Sequence, residues 1–577
     1  MNIGALNYLT IVVYMGAMVA MGFWFSRQDK TSEEYLLGGR KMPWWAVGIS
    51  YKISVLSTIS MVMIPGEIYN HGLTLFFTQM LLPITSLIGF FLCVRFYFKL
   101  KVFTPFEYLE RRYNSRVRIT ISMLYFWIRL AYISMVLYAS SKIFESAVGW
   151  PVTITIPVIG MIGIFYTFLG GMRAVIWTDV IQFVVLFGGM LLIIFSISVN
   201  VDGGLIGILT YSLDHGRGPV HYANPEFYRF DPYVRLCFWF IIVNEFSNSI
   251  FLTCADQITI QRLLSAGTYE KAKYAAYTNS VLLVPMVLML WLMGFAIYTY
   301  YGLYPDPNIT SGDAALYTYI ASNMPAPLPG LILAAMLAAS MSTLDSGMNS
   351  LSAVLLKDVY VKYITPSATE GRQYAMARIL TLAIGIFAIV ISLTIAGTAS
   401  KLRETVVEAG AIWNAFGIVL GPVFLITVLS RKVNSRVVGY GLSVSWGVIT
   451  GMIAWYVSSK NGLVGAIPIS YVLIPLGLAG FLFFVTTLCK IRGRAQSFGA
   501  LLSALFALAF SFSTGIWYYY GNYTDGGVLS FQWAGFPGMF AFYLIAFGLL
   551  FFCRQPEKKK HFGLTLWSAG ETIIEDE

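Results

Sequence analysis

Long apolar runs alternate with short polar ones along the whole of this 577-residue chain. The runs recur at close to 20 residues, the length at which a helix crosses the roughly 30 Å hydrocarbon core of a bilayer. Fifteen of them can be read from the sequence: 3–25, 43–69, 73–98, 118–148, 151–169, 175–199, 233–255, 275–301, 328–356, 376–396, 406–430, 438–457, 467–489, 498–519 and 533–552. Inside hydrocarbon every backbone polar group has to be satisfied within the segment, so a lone run of this length predicts a helix. The pattern therefore predicts an all-α polytopic membrane protein. The longest polar stretches are 202–231 and the tail from Arg554, and neither has the length of a soluble domain. The first run lacks a basic leader and a small-residue cleavage site, so it is expected to stay as a span.

Charge orders these runs. Only 11% of residues are charged, against about 25% in soluble domains. With the N-terminus outside, the loop after every odd-numbered run is cytoplasmic. Those loops hold most of the Lys and Arg, including Arg40, Lys41, Lys99, Arg111, Arg112, Arg173, Arg262, Lys271, Arg372, Arg431 and Lys490. The opposite loops hold only Arg217, Arg229, Lys401, Arg403 and Lys460. This bias predicts an outside N-terminus and a cytoplasmic tail, 553–577, in a plasma (inner) membrane protein. It also accounts for the net charge of +10 without nucleic acid. The five Cys are scattered, mostly inside apolar runs, and predict neither a disulfide framework nor a metal site.

Ionisable residues within spans are costly, which makes them functional candidates. The candidates are Lys52, Glu67, Arg129, Asp179, Glu245, Asp345 and Glu408. Asp345 lies in "AAMLAASMSTLDSGMNS" (334–350), where Ser342, Asp345, Ser346, Asn349 and Ser350 share one helical face. Such a stripe reads either as a small-residue packing seam or as a row of hard oxygen donors for a hard cation. With no His or Cys nearby, zinc and copper are excluded. The second run carries "SYKISVLSTIS" (50–60), followed by Pro65-Gly66. Interruption of that kind marks a broken transporter helix, whose freed carbonyls bind an ion. The seventh run has a counterpart in "NEFSNS" (244–249), and the two open successive sets of five runs.

These residues carry a family resemblance. "LLGGRKMPWWAVGIS", "GGMRAVIWTDVIQ", "DQITIQR" and the 334–350 stretch, in that order, resemble the sodium:solute symporter family, its bacterial sialic acid and sugar symporters included. The resemblance implies a leucine-transporter-type fold. Two inverted five-helix repeats (43–199 and 233–430) would follow one extra N-terminal span (3–25) and precede additional C-terminal spans (438–552), about fifteen helices in one transmembrane domain. It implies sodium-driven uptake of a small organic solute by alternating access, with Na+ as coupling ion and no obligate protein partner.

By motif match the shared sodium site would use the carbonyls of Ile53, Leu56 and Ala339 and the hydroxyls of Ser342 and Thr343. A second cation would use Asp179, Asp345 and Ser346 alongside Ser342. Ser57, Ser60, Gln79 and Arg129 match solute-facing positions, Arg129 pairing with a solute carboxylate. The implied solute is an anionic sugar acid or carboxylate such as a sialic acid, with a neutral sugar or inositol as the alternative. Three positions depart from the family pattern. Asp345 stands where a Ser is usual, and Lys52 precedes a sodium carbonyl, where it is expected to pair with Asp179 or Asp345. Val55 also replaces a polar solute contact. An aspartyl enzyme fits this Ser/Ala setting poorly, and two interrupted helices in one long chain favour a carrier over a channel.

Overall fold

The computed structural model describes residues 4–26, 31–56, 58–229, 238–307, 309, 312–399, 417–460, 536–550 and 564–568. Among them the regular elements are all helical. The first are α1 (Ala5–Ser26), α2 (Ser32–Leu37), α3 (Trp44–Val55), α4 (Thr58–His71), α5 (Phe76–Gly89), α6 (Arg95–Leu100) and α7 (Pro105–Arg112). Next come α8 (Ser115–Val148), α9 (Val152–Ser198), α10 (Gly204–Asp214), α11 (Phe238–Ile250) and α12 (Gln257–Ser265). Then follow α13 (Tyr269–Leu303), α14 (Gly312–Ser322), α15 (Leu328–Val354) and α16 (Glu370–Ala399). The last are α17 (Leu420–Leu429), α18 (Ser435–Lys460) and α19 (Phe536–Leu550).

Seven helices among the described residues are long and apolar enough to cross a membrane, or eight if α3 and α4 form one bent span. Helix α9 runs for 47 residues. Unbroken, it would be about 70 Å long, more than twice the bilayer core. Gly171 interrupts it with φ 52° and ψ −154°. The two pieces correspond to the expected runs 151–169 and 175–199. Runs 467–489 and 498–519, the start of 406–430, and Glu408 lie outside the described residues.

Two elements differ from expectation. The segment 202–231, read as polar, contains α10, an apolar stretch of 11 residues bracketed by Gly203, Gly204, His215 and Arg217. It is too short to cross, and Ser212 ties it to α13 through the Phe295 carbonyl (3.2 Å) and Thr299 (3.0 Å). Helix α14 fills the loop between α13 and α15, where Gly312 meets the backbone of Gly66.

The chain forms two compact units. The first comprises 1–87, 129–227 and 257–400. At its centre α15 is buried along its length, packed by α1, α3, α9, α12 and α16. A helix enclosed on all sides has to pair its polar side chains within the protein. Helix α1 lays Tyr14 and Met18 on Tyr166, Ala334, Ala338 and Met341. Its other face exposes Val12, Phe23 and Trp24, as a lipid-facing helix does.

The second unit comprises 88–128, 228–256 and 401–577. It corrects the reading of the cysteines. Cys93 and Cys254 form a disulfide with Cα atoms 5.4 Å apart, across 161 residues of sequence. They sit in π-helical turns, Phe90–Val94 and Phe251–Ala255, which no Cys spacing announces. Elsewhere in this unit Tyr125 donates to Asp256 (2.5 Å), Tyr108 to the Leu564 carbonyl (2.7 Å) and Arg112 to the Ser430 carbonyl (2.7 Å).

The break in α9 yields a test. A Cβ on Gly171 would lie 2.6 Å from the Tyr35 carbonyl, in a backbone region that is essentially Gly-only. Gly171→Ala should cost about 1–3 kcal/mol and lower the apparent midpoint of thermal unfolding in detergent. Gly188→Ala, with nothing within 4 Å of its Cβ, should not. Equal midpoints for the two variants would remove Gly171 as the reason for the break.

Candidate functional site

The site begins where α3 stops. Leu56 is extended (φ −90°, ψ 110°), and the chain bends by 57° before 60–71. Ser54 already draws its hydroxyl to the Tyr51 carbonyl (2.9 Å), and Pro65 with Gly66 follows in α4. The Ile53 carbonyl closes a tight turn by accepting from Leu56 N–H at 3.1 Å. A carbonyl has two lone pairs, so this bond does not exhaust it. Both carbonyls expected to hold sodium, those of Ile53 and Leu56, therefore sit at the helix break. Ser57 lies outside the described residues, and Ser60 is half-buried in α4.

Opposite the break, four elements meet on one carboxylate. Asp179 of α9 accepts from Ser50 of α3 (2.5 Å) and Ser342 of α15 (2.6 Å). It also accepts from Arg262 of α12, the guanidinium Nη2 lying 3.0 Å away. Both charged side chains are 0% exposed. Arg262 Nε reaches Ser50 Oγ at 2.8 Å, Nη1 the Ile258 carbonyl at 3.1 Å, and Nη2 also Ser346 Oγ. Beside it, Gln261 donates to the Leu36 carbonyl (2.5 Å) and to Asn349 (2.6 Å). Ile53 lies one turn beyond Ser50, and Thr343 follows Ser342, so each half of the expected sodium set adjoins a residue bonded to Asp179.

Asp345 occupies the neighbouring position on α15. Tyr166 donates to its Oδ2 at 2.6 Å, and Ser346 N–H to its Oδ1 at 2.6 Å. Asp179, Asp345, Ser342 and Ser346 are all buried together. Ser346 links the two carboxylate sites, its hydroxyl meeting Arg262 and its N–H meeting Asp345. Ser342 and Thr343 give their protons to Asp179 and to the Ala339 carbonyl (3.2 Å), which leaves their oxygen lone pairs for a cation.

Sequence reasoning missed Arg262. By position it reads as a cytoplasmic loop charge, but the short helix α12 folds it fully inside. Asp179 takes its cation from Arg262, where Lys52 was expected. Lys52 is buried on α3, and among the described residues no ion pair or hydrogen bond joins it to Asp179 or Asp345. Ser50 and Gln261 lie in sequence motifs and Tyr166 in none, and no role can be read for any of them singly, since Ser, Tyr and Gln become functional only through such neighbours.

The expected solute residues lie in the same unit. Arg129, on α8, is 6% exposed, with its guanidinium carbon 5.2 Å from the Tyr132 ring centroid. Gln79, on α5, is 8% exposed and accepts from the Trp291 indole of α13. Glu67 accepts from Thr74 at 2.6 Å. Glu245 belongs to the second unit.

A broken helix facing a buried oxygen-rich helix is the arrangement of an ion-coupled carrier. The profile of the sodium:solute symporter family matches residues 35–444, and the chain belongs to that family. It is a multi-pass membrane transporter, with sodium as the coupling ion, and not an enzyme. The sodium/sialic acid symporter NanT of Aliivibrio fischeri is 29% identical over 450 residues, 75% of this chain and 85% of that protein. The sodium/sialic acid symporter SiaT of Proteus mirabilis is 27% identical over 487 residues, 81% of this chain and 94% of that protein. A solved Na+-coupled sialic acid symporter, substrate-bound and outward-open, superposes with a TM-score of 0.75 at 22% identity, covering 96% of this chain and 100% of its own. That likeness establishes the shared fold.

The Asp179–Arg262 pair can be tested directly. Removing one partner of a buried pair strands a charge, at about 3–5 kcal/mol. Arg262→Ala and Asp179→Ala should each lower the thermal stability of the detergent-purified protein. The double variant should lose less than the sum of the two. Strictly additive losses would show that the groups do not act as a pair.

Proposed function

We propose that this symporter couples inward sodium flow to uptake of an anionic sugar acid or carboxylate, such as a sialic acid, by alternating access. One observation carries the reading. Asp179 ties helix α3, through Ser50, to the hydroxyl-bearing face of α15, through Ser342. This supports reading Ile53, Leu56, Ala339, Ser342 and Thr343 as one set of five hard oxygens. Such a set suits a hard, weakly charged cation. The two sialic acid symporters that match most of the chain support the solute class.

Within this reading Asp179, Asp345 and Ser346 hold a second cation. The two carboxylates and the hydroxyls beside them offer such an ion hard oxygen ligands. Lys52, one residue before Ile53, contributes to the charge balance of the same region. Arg129 receives the solute carboxylate through two parallel N–H···O bonds, and Ser57, Ser60 and Gln79 take its polar groups. We assign 43–199 and 233–430 to two inverted repeats, flanked by 3–25 and 438–552, about fifteen spans in all. The N-terminus is outside and the tail 553–577 is cytoplasmic, in the plasma membrane.

The test is uptake of N-acetylneuraminate into proteoliposomes, with and without a sodium gradient. Glucose and myo-inositol serve as neutral arms. Uptake should require the gradient. Ser342→Ala and Thr343→Ala should each raise the half-saturating sodium concentration about tenfold, the loss of roughly 1.4 kcal/mol of ligation. Sodium activation unchanged in both would place the site elsewhere. Arg129→Lys should abolish most uptake, because an ammonium cannot make the planar fork. Sodium-driven glucose or inositol uptake that is indifferent to Arg129→Gln would replace the acid reading with the neutral-solute one.

A further inference from the structure

The Gln79 side chain has an orientation that its neighbour imposes. Indole nitrogen is a donor with no acceptor capacity, so the Trp291 Nε1–H fixes which end of the Gln79 amide faces it. That end is the carbonyl oxygen Oε1. The amide nitrogen, with two N–H donors, therefore points the other way. Among the described residues no acceptor takes a hydrogen bond from it. Gln79 is 8% exposed as a whole residue, and the N–H groups turned away from Trp291 are donors that a solute acceptor can use.

The indole itself is held from the other side. Its ring stacks on Phe76, centroids 5.4 Å apart and planes at 28°. Phe76 in turn meets the ring of Tyr222 at 6.2 Å. Tyr222 belongs to the segment after α10, and its hydroxyl donates to the Leu73 and Thr74 carbonyls at 2.9 and 2.8 Å. The outer end of α5 is thus clamped around Trp291. Neither Trp291 nor Tyr222 carries any sequence motif.

We propose that Trp291 is a positioning residue for solute selection. It locks the Gln79 amide so that its N–H donors face the solute, and this subsite takes an acceptor oxygen, the carbonyl of an acylamino group or a carboxylate oxygen. The inference rests on the assignment of Gln79 to the solute site. It adds a reason why that position discriminates. A freely turning amide can offer a donor or an acceptor, whereas a locked one offers donors alone, and a solute group that is itself only a donor meets an unpaired N–H.

The experiment measures N-acetylneuraminate uptake by full-length protein in proteoliposomes, as a double-variant cycle on Trp291 and Gln79. Trp291→Phe keeps an aromatic ring against Phe76 but has no N–H. It should raise the half-saturating solute concentration about tenfold, with the maximal rate and the half-saturating sodium concentration changed less than about twofold. In the Gln79→Leu background, with no amide to orient, Trp291→Phe should change the half-saturating solute concentration less than about twofold. Gln79→Glu, which faces the solute with an acceptor-only carboxylate, should lose uptake while Trp291 remains in place. An equal effect of Trp291→Phe in both backgrounds would overturn the proposal and leave the transport reading intact. A fall in maximal rate alone would do the same, because it marks a structural role for the indole. Absence of sodium-driven N-acetylneuraminate uptake by the unaltered protein would overturn both.

Discussion

The buried pair between Asp179 and Arg262 holds together what the site needs. Four separate elements, α3, α9, α12 and α15, converge on it through Ser50, Ser342 and Ser346. Hydrophobic contact alone would not fix them this way, because in a bilayer the lipid is as apolar as the helix faces. Charge supplies the direction that packing lacks. Two fully buried ions have few arrangements in which every lone pair and every N–H is met, and the network of serines defines one of them. The broken end of α3 is therefore held beside α15 by electrostatics, and its carbonyls are placed as a consequence.

The surroundings of the pair follow from the same constraint. Because α15 is enclosed on every side, its polar residues cannot turn to water or lipid. Four of them find a partner on a particular neighbour: Ser340 on Ser140 (2.5 Å), Ser342 on Asp179, Asp345 on Tyr166, Asn349 on Gln261. Thr343, Ser350 and Ser352 turn to carbonyls of α15 itself. Alanines between them let α1 and α9 approach closely enough for those bonds. The stripe is thus both a packing seam and a polar network. The two readings that its sequence left open describe the same face.

How much of this the sequence discloses depends on how local each cause is. Span lengths are local, so runs such as 3–25, 118–148, 275–301 and 328–356 correspond to α1, α8, α13 and α15. The helix break at 56 is local too, signalled by its serines and the following Pro-Gly. Helix α10 gives no such signal because it is apolar but too short to cross, a case that run length alone discards. Arg262 was misplaced because its partner lies 83 residues away, and a basic residue after a span looks like a topology charge until α12 folds it inward. Cys93 with Cys254, and Trp291 with Gln79, are likewise long-range pairs of residues that carry no signal singly.

Donor-only groups set the sense of these networks. A guanidinium and an indole can give hydrogen bonds but never receive them. Where Arg262 donates to Ser50, the Ser50 hydroxyl has to pass its own proton on to Asp179. Where Ser342 also gives its proton to that carboxylate, its lone pairs face the interior, where a cation can use them. Trp291 acts on Gln79 in the same manner, taking the acceptor end and leaving the donors outward. Hydroxyls and amides are ambivalent in isolation and could serve a cation or an anion. Within a bundle that excludes water, one donor-only neighbour removes that ambivalence. Acceptors are thereby directed into the proposed sodium region, and donors toward the proposed solute, from side chains that can be either.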